Sequence, residues 1–217
     1  MLTLKIALVG ATGFIGTAIL QEALNRGHIL TAMSRNPEKI TIQHNSLHFL
    51  SVDVFDSAAL TTAFIGHHLI ISAWNPGWGT HNLYEQLLEG SIAIQQAAKI
   101  AAVPRLLVIG HAGSLYVGPS LQWVDAPEYP ATWRPAPAAL RDYLHLLQEE
   151  PQLDWTYITP PLDLSAGTRT GQYRIGTHSP IYNEHNKSTI SVEDLAVAIL
   201  EEAESPRHSR QRFTVAY

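Results

Sequence analysis

Six nearly continuous apolar runs recur along the chain, each followed by a stretch of different periodicity, and no other feature narrows the fold so far. The runs are residues 2–9 (LTLKIALV), 28–34 (HILTAMS), 46–54 (SLHFLSVDV), 67–74 (HHLIISAW), 104–110 (PRLLVIG) and 154–160 (DWTYITP). A strand that is apolar on successive residues is covered on both faces, as in a parallel sheet. The intervening segments supply the cover. Residues 14–26 place Ile15, Ile19, Leu20, Ala23 and Leu24 on one helical face and stop at Gly27. Asp56 and Ser57 cap a short helix ending at Gly66, and longer helices are predicted over 82–102 and 138–149. A last amphipathic helix covers 188–205, with Ser191 and Asp194 spaced as a capping box. Strands alternating with helices predict an α/β chain built on a doubly wound parallel sheet.

The first strand hands over to the first helix through GATGFIG, residues 10–16. Glycine weakens a helix by roughly 0.5–1 kcal/mol relative to alanine, so three in seven residues point to a close approach to the backbone. Strand, glycine turn and helix together aim a helix N-terminus at a pyrophosphate. Gly10 permits the tight turn, Gly13 admits the phosphates, and Gly16 lets the helix pack closely. Ala11, Thr12, Phe14 and Ile15 fall in the same loop and are candidate cofactor contacts.

The remaining composition excludes more than it assigns. The 217 residues are 46% hydrophobic and 15% charged, enough apolar material for one large domain over 1–217. A net charge of −5 argues against nucleic acid or an anionic membrane as partner. There is no cysteine, and the 11 histidines show no metal-ligand spacing; His67 and His68, adjacent on a strand, point to opposite faces, so no metal is expected. The first strand begins within a few residues of Met1, leaving no room for a signal peptide, and no apolar run approaches the roughly 20 residues that span a bilayer. The expectation is a soluble, cytoplasmic protein.

Two connections are long: 111–137 and 161–189. The first holds five prolines and four large aromatics, and long loops in a compact domain are usually functional lids or walls. Both follow the C-terminal ends of strands, where open α/β sheets bind ligands.

GATGFIG, with SRNPEK (34–39), VDVFD (52–56), VIGHAGSLYV (108–117), DWTYITPP (154–161), RTGQYRIG (169–176) and ISVEDLAVAI (190–199), resembles the atypical short-chain dehydrogenase/reductases. Within them the resemblance is to the NmrA-like NAD(P)H-binding group, and specifically to the NADH-flavin reductases and biliverdin-IXβ/flavin reductases. It implies a Rossmann fold over the whole chain. It also implies that Asp53, with Val54 beside it, meets the adenine, and that Ala73, Trp74 and Asn75 pass the cofactor ribose.

The second strand ends in Ser34, Arg35 and Asn36, with no acid where NAD-preferring sites bind the ribose 2′-hydroxyl. Arginine grips phosphate with a planar fork, so NADP(H) is preferred and NAD(H) is admissible. No Tyr-x-x-x-Lys pair exists: Met1, Arg35, Gln95 and Asn183 stand four residues before the four lysines. Carbonyl–alcohol exchange by that pair is therefore excluded. A flavin or quinone needs no such acid, because a proton can come from solvent and alignment carries the chemistry.

Ser114 and His111 are the candidate catalytic residues, the serine to hold a carboxamide or acceptor carbonyl and the histidine to donate a proton or hydrogen bond. Trp74, Trp78, Trp123 and Trp133 could sandwich a flat ring. Leu162 follows Pro160-Pro161 where the biliverdin-reducing relatives carry a histidine, which weighs against a tetrapyrrole. The expected activity is hydride transfer to a flat small-molecule acceptor. Two alternatives stay open: a non-catalytic NADP(H) sensor, and an isomerase or epimerase that keeps its cofactor. Oligomeric state is not legible.

Overall fold

A computed structural model describes residues 3–217; Leu2, expected in the first strand, lies outside the described residues. The strands are β1 (Lys5–Val9), β2 (Ile29–Ser34), β3 (Leu47–Ser51), β4 (Leu69–Ser72), β5 (Arg105–Ile109), β6 (Asp154–Thr159), β7 (Asp163–Ser165), β8 (Arg174–Gly176), β9 (Thr189–Ser191) and β10 (Gln211–Ala216). The α-helices are α1 (Phe14–Asn25), α2 (Ser57–Phe64), α3 (Leu83–Ile100), α4 (Pro135–Gln148) and α5 (Val192–Glu204).

Eight strands form one sheet in the order β3-β2-β1-β4-β5-β6-β10-β8, parallel throughout except for β8 against β10. The six apolar runs supply the first six positions, and the doubly wound arrangement is the one their alternation predicts. Successive residues of β1 face opposite layers. Ile6 and Leu8 pack with Ile19, Leu20, Leu195 and Ile199 beneath α1 and α5. Ala7 and Val9 pack with Ile70, Ile94, Leu106 and Val108 on the side of α2, α3 and α4.

Several boundaries differ from the sequence expectation. β3 stops at Ser51 because the chain turns at Asp53, whose carbonyl accepts from Asp56 N (3.1 Å). α4 begins at Pro135 rather than 138: prolines fit a first helical turn, where a backbone N–H has no intrahelical partner. The segment 161–189 is not one loop. It contains β7 and β8, and β7 pairs in parallel with β9, which begins at its last residue. β10 lies outside the six apolar runs, yet it occupies an interior place between β6 and β8, with Phe213 and Val215 buried.

The capping box at α5 is half formed. Ser191 Oγ accepts from Asp194 N (3.0 Å), but the Asp194 carboxylate turns away to Thr170 N and Oγ1, Gly171 N and Tyr217 OH. Burial alone would raise its pKa, and these donors hold it below the usual carboxylate value. Among the described residues no helix is long and apolar enough to cross a membrane.

Candidate functional site

The glycine turn joins three strands at the C-terminal edge of the sheet. Gly10 has a φ of +83°, and a Cβ there would stand 2.4 Å from Ala73 O on the segment after β4. A Cβ on Gly16 would stand 2.1 Å from Gly10 O, so α1 sits hard against the turn that precedes it. Gly13 differs. Its backbone is extended, and the nearest atom to an added Cβ is Gly10 O at 3.3 Å, so its free side opens outward.

Gly13 is also the N-cap of α1, and no side chain caps it. Among the described residues the first N–H groups of α1 therefore lack a side-chain acceptor where the dipole is positive, an arrangement that fits the pyrophosphate of a nicotinamide cofactor. Thr12, Gly13 and Phe14 are exposed around this point, while Ala11 is buried and Ile15 half-buried.

The flanking strands bring the remaining cofactor candidates to the same edge. Thr12 and Ser34 hydroxyls lie 3.3 Å apart, linking the glycine turn to the end of β2. Arg35 Nη2 donates to Pro76 O (2.9 Å), so its side chain spans from β2 to the segment after β4, across the end of β1. Asp53 is exposed, with Oδ1 accepting from Phe55 N (3.1 Å). Val54 is buried in the core, so only its backbone can face a ligand. Asn75 Oδ1 accepts from Gly77 N (2.7 Å) and shapes the turn after β4.

Trp74 requires a correction. Its ring lies against Gly90 of α3, where a Cβ would come within 2.2 Å of Cη2, and edge-on to Phe55 at 6.0 Å. The ring packs between helix and strand and is not among the walls of the aromatic cleft formed by Trp78 and Trp133, so it does not sandwich a ring there.

Beyond β4 and β5 lies a cleft of about 400 Å³ walled by Trp78, Leu83, His111, Tyr129, Trp133 and Pro135. Trp78 and Trp133 are 67% and 68% exposed, an unusual display of aromatic surface. Trp123 stands behind Tyr129, edge-on at 5.5 Å, rather than in the cleft. His111 Nδ1 accepts from Gly113 N (2.9 Å), which places the ring proton on Nε2. Burial lowers its pKa to about 4, so at neutral pH the imidazole is uncharged.

Ser114 is the second correction. It is 0% exposed, and its hydroxyl donates to His111 O (3.0 Å) while its carbonyl accepts from Gln122 Nε2 and Arg212 Nη1. It cannot touch a carboxamide or an acceptor; it fixes the backbone of His111. Tyr143, on α4, is buried with no hydrogen-bond partner for its hydroxyl among the described residues, and burial pushes its pKa up.

Two features escape sequence reading because their partners are remote in the chain. Arg169 forms a two-point ion pair with Glu22 on α1 (2.7 and 2.8 Å), bracing that helix from the loop after β7. Hydrogen bonds from Arg169 and then Arg26 hold the Glu22 carboxyl below its usual range against the opposing effect of burial. Arg212 of β10 reaches under the turn at Ser114. Arg169 opens the RTGQYRIG stretch, but nothing local to it names Glu22 as its partner, and nothing in the local pattern of Arg212 marks it at all.

A family model described as NAD(P)H-binding matches residues 10–206. The uncharacterized protein YwnB of Bacillus subtilis (strain 168) is 36% identical over 216 residues, covering 98% of each chain. A solved structure from Bacteroides thetaiotaomicron, provisionally named an epimerase, superposes with a TM-score of 0.93 at 39% identity, over 100% of this chain and 98% of that one. Another from Streptococcus pneumoniae TIGR4, provisionally named an NADH-flavin reductase, gives 0.80 at 29% identity over 98% and 99%; that name is the group the motifs resemble. Matched from the first glycine of its turn through α5, this chain belongs to the NAD(P)H-binding family.

Proposed function

We propose that the protein is an NAD(P)H-dependent reductase that passes hydride to a flat acceptor, free flavin or a quinone, with NADP(H) preferred over NAD(H). One observation carries this reading: an aromatic-walled cleft of about 400 Å³ beyond the ends of β4 and β5, on the edge of the sheet where α1 presents an uncapped N-terminus. Flat, electron-poor rings stack on such walls. A nicotinamide cofactor supplies the hydride when bound.

The chain's own residues do the rest. The backbone around Gly13 holds the pyrophosphate, and Asp53 with the backbone of Val54 flanks the adenine. Ala73, Asn75 and the backbone of Trp74 line the ribose. Arg35 has no salt-bridge partner among the described residues and meets the 2′-phosphate. His111 presents Nε2–H to the acceptor as a neutral hydrogen-bond donor, and Ser114 is a positioning residue behind it. A proton reaches the reduced product from solvent, since no cleft group is a strong acid at pH 7.

The test is NADPH oxidation followed by absorbance with riboflavin, FMN and a quinone, in the protein and in Trp133→Ala. Turnover with at least one acceptor, and a raised KM for it in the variant with kcat little changed, is the expected result. No turnover with any of the three would reject the reading.

A second reading rests on the provisional epimerase name of the Bacteroides relative, which shares 39% of its residues with this chain. An enzyme of that kind regenerates its cofactor in each cycle. NADP(H) carried through purification without exchange, and no net oxidation with any acceptor, would favour it.

A further inference from the structure

A second pocket, of about 590 Å³, opens on the other side of the Ser114 turn. Its walls are Tyr116, Pro119, His178, Pro180 and Tyr182, contributed by the loops after β5 and β8. The loops are stitched together, because Tyr116 N donates to His178 O (2.8 Å). The geometry is therefore set before any ligand arrives.

Arg212 lies beneath this pocket and is 6% exposed. Buried arginines ordinarily meet a carboxylate, since an uncompensated charge is costly to desolvate. Arg105, equally buried, pairs with Glu202 at 2.5 Å. Among the described residues Arg212 forms no salt bridge. Its N–H groups go to Ser114 O (2.8 Å), His178 O (3.0 Å) and His178 Nδ1 (3.1 Å), and its guanidinium carbon stands 5.7 Å from the Tyr116 ring centre. Neutral acceptors, two carbonyls, an imidazole nitrogen and the Ser114 hydroxyl (3.3 Å), satisfy the hydrogen bonds but leave a whole positive charge without a counter-ion among the described residues.

His178 passes that charge outward. Its Nδ1 accepts from Arg212, so the proton stands on Nε2, at the opposite side of the ring, and the residue is exposed in the pocket wall. Desolvation and then the Arg212 charge keep its pKa below the ordinary histidine value, which preserves this neutral donor form. Behind Tyr182, outside the pocket wall, Arg174 Nη2 donates to Tyr182 O (2.8 Å) and to Tyr217 O and so anchors this loop to the end of β10.

We propose that this pocket is a second ligand site, taking a compact oxyanion (phosphate or carboxylate) on His178 Nε2 over the positive charge of Arg212. The oxyanion could be a free ion or the charged tail of the acceptor. The tail reading rests on the proposed reductase activity and on the shared turn: Arg212 holds Ser114 O, and Ser114 Oγ holds His111 O at the other cleft.

The experiment is an NMR titration of the His178 ring protons with inorganic phosphate, and in parallel with acetate, at constant ionic strength held with chloride. A saturable shift with half-saturation at about 1–10 mM is expected for one of the two. His178→Ala also removes the acceptor of Arg212 Nε; with its fold checked by circular dichroism, it should weaken that binding at least tenfold, read on the tyrosine ring signals. A response that never saturates up to about 50 mM with either ion, or unchanged affinity in His178→Ala, would overturn the site. Kinetics then identify the source. Phosphate that raises the KM for FMN but not riboflavin assigns the site to the acceptor's tail; no effect on either assigns it to a separate ligand. Failure of the reductase reading would leave the NMR result standing by itself.

Discussion

Acidification should destabilise this protein through His111 before its carboxylates respond. Burial lowers the His111 pKa from 6.5 to about 4. Between those values the unfolded chain takes up a proton that the folded chain refuses, so stability falls as pH drops through that window and levels off below it. Each unit corresponds to about 1.4 kcal/mol, so the loss between pH 7 and pH 5 comes to about 2 kcal/mol. His67 and His178 are shifted in the same direction, so the wild-type curve alone does not isolate the effect.

His111→Asn does isolate it. The amide oxygen can take the place of Nδ1 and accept from Gly113 N, while the titration disappears. Urea unfolding of both proteins at pH 7 and pH 5, without cofactor, measures the difference through the midpoint and slope. The wild type should lose about 2 kcal/mol more than the variant over that interval. Equal losses would refute the desolvated histidine, and with it the argument that the cleft offers a neutral donor at physiological pH.

Gly13→Val should abolish NADPH binding while the protein stays folded, because its backbone is extended and a Cβ meets only Gly10 O at 3.3 Å. Fluorescence titration of NADPH checks this, and unchanged affinity would remove the phosphate site from the turn. Arg35→Ala should weaken NADPH by about ten- to a hundredfold, the worth of a charge-assisted bond to phosphate, with little change for NADH. Equal losses for the two cofactors would mean that Arg35 does not read the 2′-phosphate. Tyr143→Phe should keep flavin reduction within about tenfold and raise stability by about 1 kcal/mol, since the lost hydroxyl is buried without a partner. A thousandfold fall in kcat with cofactor affinity intact would restore a protein acid to the chemistry.

The parallel core was legible in the sequence because period and punctuation agree there. Ile6 to Val9 is apolar on both faces, and Gly10 follows at the position of this turn that has a positive φ. The edge built by the long connections was much less legible. Ser114 was read as a ligand contact because it lies just after β5, near where the resembled family forms its nicotinamide pocket. Its burial is set by Gln122 and Arg212, one in the same loop and the other on β10. Trp74 stands at the correct strand end, but the direction of its ring is decided by the missing side chain of Gly90 on α3. β10 went unassigned because it follows α5 after a short polar stretch, outside the run of strands that precede helices.

The position of β10 also bears on how the protein is made. It lies between β6 and β8, so the sheet on that side cannot close until residues 211–216 have left the ribosome. The segment comprising β1 to β5 can assemble earlier, while β6 waits with one hydrogen-bonding edge open. A bare strand edge is a template for pairing with another chain. The interval between synthesis of β6 and of β10 is therefore the window in which a nascent copy is most exposed to misassembly, and in which a chaperone that shields strand edges would help most.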